Sequence, residues 1–279
     1  MSPLVSVEWL SQHLDDPNLV ILDASVAKIV GMTPIEYKQF CCIPNALFLD
    51  LAGRFHLASS PLSNTMPTSK QFSEQASALG IKPESKIVIY DNQGVYSAPR
   101  AWWMFKSMGI DNVTVLNGGL PAWLALGMKT HSQYKTADEI GEVSGHLQDD
   151  SLVTAQQVLT ATDDSEQQIV DARSYSRFCG TAKEPRPGLR SGHIPNSVCV
   201  HFATLLNKGS YKSEQALTEI FAAAELDKNK QLIASCGSGM TACIVLLAGY
   251  QIGFQKLALY DGSWSEWGAD HSLPTSTLS

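Results

Sequence analysis

The feature that most constrains this chain is that it is written twice. Val20-Ile21-Leu22-Asp23-Ala24-Ser25 matches Ile169-Val170-Asp171-Ala172-Arg173-Ser174, and Ile43-Pro44-Asn45-Ala46 matches Ile194-Pro195-Asn196-Ser197. Lys86-Ile87-Val88-Ile89-Tyr90-Asp91 matches Gln231-Leu232-Ile233-Ala234-Ser235-Cys236. Val115-Leu116-Asn117-Gly118-Gly119, followed by Trp123, matches Leu259-Tyr260-Asp261-Gly262-Ser263, followed by Trp267. The blocks keep their order at offsets of 144–151, which chance similarity does not do. The 279 residues therefore divide into two copies of one domain.

Each copy reads as α/β. Val20–Leu22, Ile87–Tyr90, Val113–Leu116, Ile169–Val170, Leu232–Ala234 and Leu257–Tyr260 are short, β-branched apolar runs of the kind that form buried parallel strands. Helical patterns lie between them, at Ser69–Leu79, Ala98–Met108, Thr154–Ala161, Ser213–Ala224 and Thr241–Tyr250. Ser69 or Thr68 suits an N-cap, and Gly80 follows that helix where a C-terminal glycine belongs. The alternation predicts, in each copy, an open and mainly parallel sheet with helices on both faces. From Lys129 to Ser151 the sequence turns polar and loses apolar periodicity. The expected division is an N-terminal domain over 1–130, a linker over 131–150 and a C-terminal domain over 151–279.

Composition removes several function classes. A net charge of −7 disfavours nucleic acid and anionic membrane surfaces as partners. No apolar run approaches membrane-span length, and the N-terminal residues lack signal- and transit-peptide patterns, so a cytoplasmic protein is expected. Six cysteines without a C-x-x-C pair, and seven scattered histidines, predict reduced thiols and no metal. Yet four of the six arginines, Arg173, Arg177, Arg186 and Arg190, fall in one short segment. That cluster reads either as a site for a small anion or as a solvated basic face.

Ligands of open α/β sheets bind beyond the C-terminal ends of the strands. There one copy has Asp91 and the other Cys236, so only the second carries thiol chemistry. Gly237 and Gly239 let the loop after Cys236 turn its N–H groups inward, and the helix from Thr241 presents the positive end of its dipole. Such a cradle favours a thiolate or the outer sulfur of a persulfide. A small buried cysteine after a strand is the alternative. Cys199 and Cys243 read as packing residues, and Cys41, Cys42 and Cys179 have no such loop. The phosphate-binding G-x-x-x-x-G-K-[ST] is absent. A cysteine phosphatase needs arginine six residues after the cysteine, where this chain has Ala242. A cysteine protease needs a paired histidine, and none is marked.

With Cys236-Gly237-Ser238-Gly239-Met240-Thr241-Ala242 in the second half, Tyr96-Ser97-Ala98-Pro99-Arg100-Ala101-Trp102-Trp103 in the first, Ser191-Gly192-His193-Ile194-Pro195, and Tyr260-Asp261-Gly262-Ser263-Trp264, the chain resembles the two-domain rhodanese superfamily from about residue 5 to 270. The resemblance implies two tandem rhodanese-like domains, the first silent. Thiosulfate sulfurtransferases of that superfamily place Arg-Lys after the cysteine; mercaptopyruvate sulfurtransferases place Gly-Ser or Gly-Thr. Gly237-Ser238 resembles the latter, with Met240 for the usual valine. The resemblance implies sulfur transfer from 3-mercaptopyruvate to a thiol, cyanide or thioredoxin-type acceptor through a Cys236 persulfide, without a cofactor. It implies that Arg177 and Arg186 hold the carboxylate and keto oxygens, and that Tyr96 reaches the substrate from the N-terminal half. A thiosulfate-preferring enzyme and a non-catalytic sulfur-carrier-binding module are the competing readings. One departure stands out. Related enzymes carry S-P-x-x-H-x-L-P, whose histidine is held to act with a loop serine and an aspartate in substrate deprotonation; here Asn64 takes its place, with Ser238 and Asp50 matching the other two members. Either another group such as His56 stands in or, the reading favoured here, no base is needed because mercaptopyruvate can present its own thiol at the cradle.

Overall fold

The structure is a computed structural model that describes residues 2–278. It divides into two compact units. The first comprises residues 2–59, 66–148 and 206–211, and the second 60–65, 149–205 and 212–278.

In the first unit the strands are β1 (Leu4–Val5), β2 (Leu19–Asp23), β3 (Leu47–Phe48), β4 (Lys86–Tyr90) and β5 (Val113–Leu116). Its helices are α1 (Val7–Gln12), α2 (Ser69–Ala78), α3 (Ala98–Ser107) and α4 (Gly119–Ala125). The strands form one sheet in the order β1-β5-β4-β2-β3, every pairing parallel. The second unit has β6 (Leu152–Val153), β7 (Gln167–Asp171), β8 (Val198–Cys199), β11 (Gln231–Ser235) and β12 (Leu257–Tyr260), with α5 (Ala155–Ala161), α6 (Tyr175–Cys179), α7 (Glu214–Ala223), α8 (Ala242–Gln251) and α9 (Ser263–Trp267). Its order, β6-β12-β11-β7-β8, is the same arrangement, again parallel throughout. A small antiparallel hairpin, β9 (Leu206–Asn207) with β10 (Ser210–Tyr211), belongs to the first unit, where Tyr211 N–H donates to Asn117 Oδ1 at 2.8 Å.

All six apolar runs read as strands are strands, extended by at most two residues at either end, and the five helical patterns are helices within a residue of their expected ends. Thr68 is the N-cap of α2, its side chain accepting from Gln71 N–H, and Gly80 follows at φ +74°. The repeat persists in packing. Ile21, Val88, Tyr90 and Trp123 anchor one core, and Ile169, Ile233, Tyr260 and Trp267 the other. In each sheet the connections run opposite ways on either side of β2/β4 or β7/β11. The C-terminal ends of β4 and β11 thus lie at the topological switch point, where such sheets bind ligands.

The segment expected to be a linker differs. Residues 131–148 lie against the first unit and are tied to it chiefly by backbone bonds: Cys42 and His131 exchange both N–H···O=C bonds at 2.9 Å, Gly141 N–H reaches Ser77 O at 2.7 Å, and Gln148 N–H reaches Ser107 O at 2.7 Å. Main-chain pairing asks for no apolar periodicity, so a polar sequence can be structural here.

Candidate active site

Cys236 directly follows β11, and the loop 236–241 leads into α8, whose residues from Ala242 to Gly249 are all buried. The helix is an apolar cylinder packed behind the loop, with its positive dipole end turned to it. Cys236 itself is 2% exposed. Gly239 stands at φ +75°, the left-handed turn that folds the loop back on itself.

The first copy, with Asp91 at the strand end, shows what such a loop binds. Asp91 is fully buried, and its carboxylate receives four backbone N–H groups: Gln93 on Oδ1 at 2.8 Å, and Tyr96, Ser97 and Ala98 on Oδ2 at 2.8, 2.9 and 2.8 Å. Burial pushes this carboxyl up to about 6, against the pull of those four donors. Counted from the strand end, the N–H groups of Ser238, Thr241 and Ala242 correspond to those of Gln93, Tyr96 and Ser97. Among the described residues these three donate to no protein acceptor. An aspartate oxygen lies two bonds beyond Cβ, as the outer sulfur of a cysteine persulfide does. The second loop thus offers a sulfur anion what the first gives Asp91.

Something else must then hold the second loop in shape, and it is Ser263. Its Oγ accepts N–H from Cys236 and from Gly239, both at 3.1 Å, and donates to Tyr260 O at 2.8 Å. Trp264 N–H reaches Cys236 O and Ser265 N–H reaches Gly237 O, each at 3.0 Å. Ser263 is 0% exposed and sits at φ +51°, a conformation that side chains rarely adopt. The equivalent Gly119 stands at φ +53°, and a Cβ there would overlap the carbonyls of Asp91 and Gly94. Ser263 was not singled out from sequence, although the repeat already aligns it with Gly119: a serine replacing glycine in the copy that carries Cys236 was the available signal.

The arginine cluster separates into internal braces and residues beside the Cys236 loop. Arg173 is buried, paired with Asp171 at 2.6 Å and Glu184 at 2.8 Å, and lies 4.2 Å over the Trp264 ring. Arg190 donates to the carbonyls of Trp267 at 2.7 Å and Leu273 at 2.8 Å. Arg177 and Arg186 instead flank the loop: from the position a Cβ on Gly237 would take, Arg177 Nη2 is 3.3 Å away and Arg186 Nη1 3.5 Å. Arg177 also gives Nε and Nη2 to Glu184, at 3.0 and 2.6 Å. Arg186 pairs with no carboxylate among the described residues and donates Nη2 to Ser238 Oγ at 2.9 Å. It is the cation with charge to spare.

Asn64, in the second unit, donates Nδ2 to Ser238 O at 3.0 Å and to Ser238 Oγ at 3.1 Å. Met240 and Thr241 complete the loop, both buried. The other expected participants lie in the first unit. Tyr96 is buried, and its hydroxyl accepts from Val30 N–H at 2.8 Å and donates to Val30 O at 3.1 Å. Asp50 accepts from Gly53 N–H at 2.8 Å within its own turn. His56 Nδ1 is buried and has no hydrogen-bond partner among the described residues.

The Rhodanese-like domain family matches this chain twice, over residues 6–126 and 154–270. The chain is 36% identical to the 3-mercaptopyruvate sulfurtransferase of Escherichia coli O157:H7 over 98% of each chain. It is 38% identical to the mitochondrial thiosulfate/3-mercaptopyruvate sulfurtransferase 1 of Arabidopsis thaliana, over 99% of this chain and 78% of that protein. Its fold superposes on the crystal structure of SseA from Escherichia coli with a TM-score of 0.83 and 33% identity, covering 95% of this chain and all of that one. A repeated parallel sheet, one cysteine at a switch point and two family matches that coincide with the repeat all place this chain in the rhodanese family, as a tandem member with its cysteine in the second domain.

Proposed function

We propose that this protein transfers sulfur from 3-mercaptopyruvate, through a persulfide on Cys236, to a thiol, cyanide or reduced thioredoxin-type acceptor. The observation that carries the reading is Arg186, a guanidinium without a carboxylate partner, beside a loop that itself contains no cation. A monocarboxylate donor needs one fork-shaped cation at a distance from its sulfur, and Arg186 supplies it, with Arg177 alongside. The Cys236 thiolate attacks the donor's sulfur as the C–S bond breaks. The bonding pair leaves with carbon as the enolate of pyruvate, and the proton of the donor thiol ends on that carbon. Loop N–H groups hold the outer sulfur of the persulfide until a second nucleophile removes it, which returns the Cys236 thiolate. No cofactor is required. Among the described residues no helix is long and apolar enough to cross a membrane, and all six cysteines are free thiols, which suits a reducing compartment.

Thiosulfate is a second donor to consider, because both guanidiniums lie within 4 Å of the Gly237 position and would meet a dianion too. The deciding experiment compares kcat/KM for the two donors under one acceptor, with Cys236→Ser as control. The reading expects mercaptopyruvate to be preferred, parallel-line ping-pong kinetics, and no transfer by the variant. A preference for thiosulfate would reverse the donor assignment, and retained activity in Cys236→Ser would overturn the mechanism.

A further inference from the structure

We infer that the Ser238 hydroxyl is locked as a hydrogen-bond donor, so that it stabilises the oxygen of the departing enolate and cannot act in a proton relay. The inference rests on the sulfur-transfer reading above and adds to it a direction for one proton. A hydroxyl has two lone pairs and one proton. Both lone pairs of Ser238 Oγ are taken, one by Arg186 Nη2 at 2.9 Å and the other by Asn64 Nδ2 at 3.1 Å. The orientation of the Asn64 amide is set by its second contact: it lies 3.0 Å from Ser238 O, a carbonyl that can only accept, so the amide nitrogen and not the oxygen faces this residue. Ser238 is 8% exposed, and no group among the described residues accepts its proton. The one capacity left to Oγ is to donate.

The consequence follows from the proton balance of the reaction. Attack by the Cys236 thiolate turns the keto oxygen of the donor into an enolate oxygen, and the proton carried by the donor thiol ends on carbon. No base is consumed, but a negative charge develops on oxygen. A donor fixed beside Arg186 meets that charge when it forms, which is where a hydrogen bond contributes most to rate. An imidazole at position 64 would behave differently. In its neutral form it can accept the Ser238 proton and draw it away; as an imidazolium it can only donate, as Asn64 does. The φ of +65° at position 64 is one that histidine tolerates comparatively well.

The charged and titratable groups around this loop in its unit include Cys236, Cys243, whose thiol donates to Gly239 O at 3.4 Å, Arg173 stacked on Trp264, Arg177, Arg186, Glu184 and His201, whose imidazole is held below its usual range by burial and by Arg177. Wild type and variants share all of them, so ratios of rates isolate position 64. The test measures pyruvate release from 3-mercaptopyruvate between pH 5.5 and 8.5 (about one unit below histidine's usual value to two above it). If the inference holds, kcat of Asn64→His relative to wild type falls as pH rises through about 6.5. Ser238→Ala then loses about tenfold to a hundredfold in kcat with KM little changed, and Ser238→Thr recovers most of it. A ratio that rises with pH shows a working relay and overturns the inference, and so does a level ratio or an unaltered kcat in Ser238→Ala. A wild type that neither forms the Cys236 persulfide nor releases pyruvate overturns the sulfur-transfer reading itself, and this inference with it.

Discussion

Replacing Ser263 tests whether the Cys236 loop is held from behind by one hydroxyl. Its removal breaks three buried hydrogen bonds, those from Cys236 N–H and Gly239 N–H and the one to Tyr260 O. At about 1–3 kcal/mol for each unmet buried group, Ser263→Ala and Ser263→Gly should each lose roughly 3 kcal/mol or more. The two variants should then differ from each other. At φ +51° alanine keeps a left-handed penalty of about 1–2 kcal/mol that glycine escapes, while glycine gives back about 0.5–1 kcal/mol in unfolded-state entropy. Ser263→Gly should therefore be the more stable of the pair by about 0.5–1 kcal/mol, the reverse of the order at an ordinary helical position. Thermal unfolding of the two proteins side by side reads this as a few degrees. Sulfur transfer, followed as pyruvate release, should fall by about tenfold or more in both, because the N–H groups that cradle the sulfur are no longer held in register. An alanine variant as stable as the glycine variant, or full turnover in either, would refute the role given to the hydroxyl.

Other expectations are simpler to state. Arg186→Ala should raise KM for mercaptopyruvate more than it alters thiosulfate turnover; equal effects on both donors would contradict a carboxylate role. For Asp91 the sign is set by burial. The folded protein holds this proton to about pH 6, whereas the unfolded chain releases it near 4, so the native state binds more protons in between. Stability of wild type relative to Asp91→Asn should therefore decline as pH rises from 4 to 6, by on the order of 2 kcal/mol, and level off above; a rise across that window in paired urea titrations would reverse the assignment. Glu184→Gln should destabilise the second unit by about 3–5 kcal/mol, since it leaves the buried Arg173 short of a counter-charge; a shift within about 0.5 kcal/mol would show the network to be dispensable.

Much of this architecture was legible in the residues because the repeat doubles every signal. The strands at 20–22 and 169–170 support each other's assignment, and so do Asp91 and Cys236. Edge strands such as Leu4–Val5 and Leu152–Val153 were not legible, because two residues carry no periodicity and their pairing is set by the neighbouring strand. Residues 131–148 escaped for a related reason, being held through main-chain atoms that every sequence has. The arginines illustrate the limit of spacing. Four of them cluster in the chain, but only the structure separates Arg173, buried among carboxylates, from Arg186, left with unspent charge. Ser263 shows a signal present in the repeat and passed over, a side chain at a position where its twin requires glycine.

The account stands or falls on a persulfide at Cys236. The most direct measurement is the intact mass of the protein after brief exposure to 3-mercaptopyruvate, followed by peptide mapping under non-reducing conditions. The mechanism predicts the gain of one sulfur atom, located on Cys236, released by cyanide and absent in Cys236→Ser. An unchanged mass, or a sulfur carried on another cysteine, would contradict it.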